Sequence, residues 1–148
     1  MLEQLRLEAK QRWQERTSHN QAVIYIGTAS CGRAAGALET LQAIRETLQE
    51  LGKVARIIEV GCVGPCYLEP LMDIALPGLA RVSYANVTPA KARQILTACL
   101  TTGDLLPGKA AGHFGDDSFT RTSGIQPFFD LPMLKPQQRI ILQKCGII

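Results

Sequence analysis

Two apolar runs bracketing one amphipathic segment constrain this chain most. Ala22-Val23-Ile24-Tyr25-Ile26-Gly27 is almost wholly apolar. That pattern suits a central strand buried on both faces. Val54-Ala55-Arg56-Ile57-Ile58-Glu59-Val60 is the second run. Between them Leu38, Leu41, Ile44, Leu48 and Leu51 recur every three or four residues. The spacing predicts a helix from about 33 to 51, ended by Gly52. Two strands joined by a crossover helix run parallel.

The next two runs, Leu71–Leu76 and Ala80–Ala85, flank Pro77-Gly78. A tight reversal there pairs them as an antiparallel hairpin. Thr88-Pro89 is a helix start, with the threonine capping and the proline in the first helical position. Ala92, Ile95, Leu96, Cys99 and Leu100 then form one apolar face, and Gly103 closes the helix. Strand, helix, strand, hairpin, helix gives an α/β sandwich with a mixed four-stranded sheet, in the order of a thioredoxin-like domain. By analogy with that fold, Pro70 stands where a cis proline faces the active turn.

This domain spans residues 22–103. Ahead of it, residues 1–21 form an N-terminal helix with Leu2, Leu5, Ala9 and Trp13 on one stripe, broken at Ser18-His19-Asn20. Residues 104–127 are rich in Gly, Pro, Asp, Ser and Thr, and read as a linker or extended arm. From Pro127 to Ile148 the chain is apolar again, with a short helix at Gln137–Leu142. This tail reads as the opening of another domain.

The net charge of +3 is mild and the basic residues are scattered, which gives nucleic-acid binding little support. No apolar run reaches the length of a membrane span. The charged N-terminus leads into no apolar segment of a signal peptide. Five cysteines in an unexported chain argue for reduced thiols in the cytoplasm and against a disulfide framework.

The chemistry concentrates in Gly61-Cys62-Val63-Gly64-Pro65-Cys66-Tyr67-Leu68-Glu69-Pro70. Two cysteines on one Gly/Pro-rich turn can point both sulfurs at one metal centre, and glycines let backbone N–H groups reach the sulfurs. Cys31 lies at the matching turn after the first strand. Cys31, Cys62 and Cys66 are therefore a three-cysteine candidate metal site. The plainer alternative is an inherited turn with idle thiols, Cys31 being a helix-start cysteine. Cys99 falls on a helix face and reads as core. Cys145 can return only if the linker folds back. His19, His113 and the pair Asp116-Asp117 read as solvated. Glu69 either faces the cysteine turn or satisfies backbone donors there. No dinucleotide fingerprint, P-loop or nucleophile–base pairing is present, so the chain carries no active site of its own.

Gly27-Thr28-Ala29-Ser30-Cys31-Gly32-Arg33-Ala34-Ala35-Gly36-Ala37, the Gly61–Pro70 turn and Tyr84-Ala85-Asn86-Val87-Thr88-Pro89 resemble the N-terminal thioredoxin-like ferredoxin domain of the NADH-oxidising flavoprotein subunits. These are relatives of the flavoprotein subunit of respiratory complex I, found with NAD-linked hydrogenases and formate dehydrogenases. Gln138-Arg139-Ile140-Ile141-Leu142-Gln143-Lys144-Cys145-Gly146 resembles that family's lead into its FMN and NADH domain. The resemblance covers about residues 22–148. It implies a chain cut at the start of the flavin domain, with FMN, NADH and [4Fe–4S] chemistry in the absent remainder. It further implies a [2Fe–2S] electron-transfer module, other subunits of an NADH-linked oxidoreductase as partners, and a cytoplasmic place at the periphery of a membrane complex.

One departure stands against the match. Cluster-bearing members carry two cysteines in the first turn, with four residues between them. The second corresponds to Cys31 and the first falls on Ile26, which cannot ligate iron. Ser30 offers an oxygen at the wrong position. Three thiolates remain where a [2Fe–2S] cluster takes four ligands. Two functions stay open: an electron carrier with a cluster, and a clusterless docking module of the same fold.

Overall fold

A computed structural model describes residues 1–17 and 20–146, with backbone only for 13–17. His19, the Trp13 side chain and the Ile147-Ile148 ending fall outside the described residues. The elements in order are α1 (Leu2–Thr17), β1 (Val23–Gly27), α2 (Ser30–Ala34), α3 (Ala37–Glu50), β2 (Arg56–Val60), β3 (Met72–Ala75), β4 (Val82–Tyr84), α4 (Pro89–Thr102), β5 (Gly112–His113) and α5 (Asp117–Ser123). Among the described residues no helix is long and apolar enough to cross a membrane.

The sheet order is β2-β1-β3-β4-β5. β1 and β2 run parallel, with Gly27 opposite Val60, as the crossover requires. β3 is antiparallel to both β1 and β4, and the β3–β4 hairpin turns through Pro77-Gly78. The architecture is the expected thioredoxin-like α/β sandwich, with five strands in place of four.

β1 is buried along its whole length because both faces are covered. Ile24 and Ile26 join Leu41, Ile44, Ile95 and Leu96 in the core shared with α3 and α4. Val23 and Tyr25 point the other way, toward Ile58, Val60 and Ala75. Fully burying an aliphatic side chain contributes about 1.5–3 kcal/mol, which makes this strand the spine of the fold. α4 begins and ends as its sequence dictates. Thr88 Oγ1 accepts from the Lys91 N–H at 3.3 Å, and Gly103 takes the left-handed conformation at φ 73°.

Two expectations are corrected. The helix expected over 33–51 is two helices, α2 and α3, divided at Ala35-Gly36. Gly36 has φ 94°, a left-handed conformation open to glycine at little cost, and it breaks the helical run. The first helix also starts earlier, at Ser30, so Cys31 sits in a helical turn. The stretch expected as linker, 104–127, supplies β5 and α5. β5 pairs with β4 through His113 opposite Val82. It is two residues long, too short to show a strand period. A Cβ on Gly112 would lie 2.5 Å from Phe128 Cα, so glycine permits the arm to close over β5. The chain then returns: Phe128 and Leu134 bury against Val63 and Leu71 in a separate small core. In α1, Leu2, Leu5 and Leu7 are exposed among charged neighbours.

Candidate metal centre

Three loop ends build the site. Because β1 and β2 are parallel and in register at Gly27 and Val60, the turns that follow them leave the same edge. Cys31 lies on α2 just after β1, and Cys62 and Cys66 follow β2. The peptide bond between Glu69 and Pro70 is cis, as the thioredoxin-like analogy anticipated. Glu69 lies beside the first turn, where a Cβ on Gly27 would meet its Oε2 at 2.8 Å.

The three sulfurs lie within 4.8 Å of one another. Cys62 and Cys66 Sγ are 3.7 Å apart. Two thiolates on one tetrahedral metal with bonds of ~2.3 Å stand about 3.8 Å apart, so this pair has the separation of a chelate. The Gly64 N–H donates to Cys62 Sγ at 3.3 Å, and Gly64 holds φ 129° to present it. Cys66 Sγ donates to the Gly64 carbonyl at 3.4 Å. Burial pushes the Cys62 thiol far up, and the neighbouring Cys31, Cys66 and Glu69 add to that, against the lowering effect of the Gly64 N–H. Crowded thiols with no cation resist ionisation; a bound metal reverses the balance and displaces their protons.

Glu69 does both things the sequence left open. Oε2 accepts from the Leu71 N–H at 2.8 Å. Burial raises the Glu69 pKa, and the carboxylate lies close enough to the Cys62 thiol to push the Cys62 pKa up while its own is pulled down by the thiol. The donor set therefore offers three thiolates of the four that a [2Fe–2S] cluster uses, with an acid beside them. It fits such a cluster once a fourth ligand is found.

The other expected residues fall as follows. Ile26 is fully buried in the core with α3 and α4. Cys99 is core, its thiol donating to the Asp104 carbonyl at 3.2 Å. Cys145 lies outside the sulfur group, although its arm does fold back: Arg81 Nη2 donates to the Gly146 carbonyl at 2.6 Å. His113, expected to be solvated, is 1% exposed in β5. Its Nδ1 accepts from Gly115 N–H at 2.9 Å, which leaves Nε2–H to donate to Thr120 Oγ1 at 2.7 Å. Asp116 is the cap of α5, accepting from the Ser118 and Phe119 N–H groups.

Sequence reasoning missed a buried pair behind the site. Arg81 pairs with Asp73 and its guanidinium lies 3.8 Å over the Tyr25 ring. The signal was available: one acid in an apolar strand, and one arginine across the hairpin from it. Asp73 Oδ1 and Ser83 Oγ have no protein partner there, although the two residues face each other across β3 and β4. Arg139, which donates to the Val63 carbonyl, was also missed.

No family model matches the chain. It is 26% identical over 91 residues, 61% of this chain and 72% of the relative, to the NADP-reducing hydrogenase subunit HndB of Solidesulfovibrio fructosivorans. Its fold is similar to that of a thioredoxin-like [2Fe–2S] ferredoxin from Aquifex aeolicus, with a TM-score of 0.54 at 18% identity, covering 65% of this chain and 94% of that one. A second structure of the wild-type Aquifex aeolicus ferredoxin gives a TM-score of 0.51 at 20% identity, covering 61% of this chain and 95% of that one. The chain thus has the fold of the thioredoxin-like ferredoxins, as its sequence motifs anticipated.

Proposed function

We propose that this chain is the electron-transfer module of an NADH-linked oxidoreductase, with Cys31, Cys62 and Cys66 as thiolate ligands of a [2Fe–2S] centre. The observation that carries the reading is the convergence of three sulfurs, from two separate turns, within 4.8 Å. The similarity to a hydrogenase subunit and to thioredoxin-like ferredoxins supports it.

A [2Fe–2S] centre supplies single-electron transfer. The chain's own residues set its surroundings. Gly64 N–H and the burial around Cys62 govern how readily the sulfurs carry negative charge. Cys66 and Tyr67 are exposed, so the turn offers a route for electrons to a docked partner. In this reading residues 22–103 carry the ferredoxin-type unit, to which β5 adds an edge strand, and the stretch from Pro127 packs on the cysteine turn. The partners are other subunits of the complex, in the cytoplasm and peripheral to any membrane part.

Anaerobic purification with iron and acid-labile sulfide analysis tests the proposal. Two irons and two sulfides per chain, with a reducible visible chromophore, are expected. A colourless protein that takes up no iron on reconstitution favours the second reading, a clusterless docking module. The fully buried Ile26, at the position where the family carries a thiolate, is the observation on that side.

A further inference from the structure

We propose that Glu69 is the fourth ligand of this centre, a carboxylate serving where Ile26 supplies no thiolate. The inference rests on the reading of Cys31, Cys62 and Cys66 as ligands and adds the residue that reading lacks.

The Glu69 side chain is seated rather than loose. The residue is 6% exposed. A Cβ on Gly27 would lie 2.8 Å from Glu69 Oε2 and 3.1 Å from Oε1. A Cβ on Gly32 would lie 3.3 Å from Oε2. Two positions that could have carried side chains are thus bare, and the carboxylate fills the space. Those glycines are the immediate neighbours of Ile26 and Cys31. The carboxylate therefore lies against the backbone of the first turn, beside the residues that flank Ile26 and Cys31.

Its bonding leaves room for a metal. Oε2 is engaged by the Leu71 N–H, which fixes the group. One oxygen can then ligate while the other keeps its backbone donor. The charge acting on Glu69 is that of Asp73, of like sign. Buried carboxylates are paired with cations or coordinate metals, and Glu69 makes no ion pair among the described residues.

The alternatives sit less well. Cys99 is bonded inside the core. The group of three sulfurs includes neither Cys145 nor the Glu69 carboxylate, and Glu69 is preferred because its carboxylate abuts Gly27 and Gly32 beside the first turn. Ser30 stands at the first position of α2, one residue from Cys31.

Four proteins reconstituted anaerobically with iron and sulfide decide the matter: wild type, Glu69→Gln, Glu69→Cys and Cys145→Ser. Iron, sulfide, visible absorption and the electron paramagnetic resonance of the reduced state are read for each, with circular dichroism to check the fold. Glu69→Gln is expected to retain iron about tenfold more weakly, at the scale by which even a ligand's supporting partners act. Glu69→Cys is expected to load fully, with stronger thiolate-to-iron absorption and a shifted resonance. It keeps the test open if the glutamine variant fails to fold. Cys145→Ser is expected to match wild type. Glu69→Gln with wild-type loading and an unchanged resonance overturns the inference and leaves the cluster reading standing. Loss of iron in Cys145→Ser likewise overturns it, moving the role to the arm. A wild-type chain that takes no iron overturns the cluster reading, and this inference with it.

Discussion

Arg139 Nη2 donates to the Val63 carbonyl at 2.6 Å, so the C-terminal arm grips the backbone between Cys62 and Cys66. Gly146 packs on the same residue: a Cβ there would lie 2.8 Å from Val63 Cβ. The turn that carries two sulfurs is thus held from behind by residues about 80 positions later in the chain.

Arg139→Ala should loosen that turn without unfolding the domain. The lost charged hydrogen bond is worth about 1.5–3 kcal/mol at most, and its partial exposure places the effect at the lower end. Hydrogen exchange at the Gly64 and Cys66 amides should quicken while exchange in β1 stays slow. Unchanged protection at Gly64 would show that the arm does not brace the turn.

His113 makes stability depend on pH. Burial lowers its pKa, outweighing the opposing pull of Asp116 and Asp117. The unfolded chain therefore binds the proton more readily than the folded one. The neutral imidazole's contribution is complete above the unfolded value of about 6.5 and is lost as pH falls through the lowered folded value. Protonation also removes Nδ1 as acceptor for the Gly115 N–H. Thermal melts between pH 7.5 and 5 should show a falling Tm, with His113→Asn giving a shallower slope. Parallel slopes for the two proteins would remove His113 from the account.

Ile26→Cys should trade packing for ligation. Ile26 is fully buried against α3 and α4, and truncation there costs about 1–3 kcal/mol, between the values for Ile→Val and Ile→Ala. A Tm lower by several degrees is expected, together with more iron retained after anaerobic reconstitution and gel filtration. An intact fold with no gain in iron is the result of a ligand set that Glu69 already completes or of a side chain committed to the core, and loading of Ile26→Cys combined with Glu69→Gln separates the two.

Much of this was legible in the sequence because it is local. β1, β2 and the hairpin announce themselves as apolar runs between turn residues, and Thr88, Pro89 and Gly103 mark α4 at both ends. Convergence of Cys31 with Cys62 and Cys66 follows from parallel strands alone. What escaped is one glycine's backbone conformation and the contacts made by residues distant in the chain. Ala34-Ala35-Gly36-Ala37 reads as helix, and only the left-handed Gly36 divides it. His113 looks solvated in a Gly-rich arm until Phe119 and Thr120 of α5 close over it. Glu69 has no local signature as a buried acid; its seat is made by Gly27 and Gly32, about 40 residues earlier.

The sheet also carries its own stop signals. β2 forms one border, and Arg56 and Glu59 on it are exposed charges. β5 forms the other, only two residues long and bridged beyond by Pro127. β2 keeps a five-residue outer edge guarded by those two charges, and β5 is too short to template a neighbour. Strand addition is blocked at the β5 margin by length and opposed at the β2 margin by exposed charge. A partner that docked on this chain would meet side chains on its helices, its arm or the cysteine turn in place of an open strand edge, with shape and charge there setting specificity.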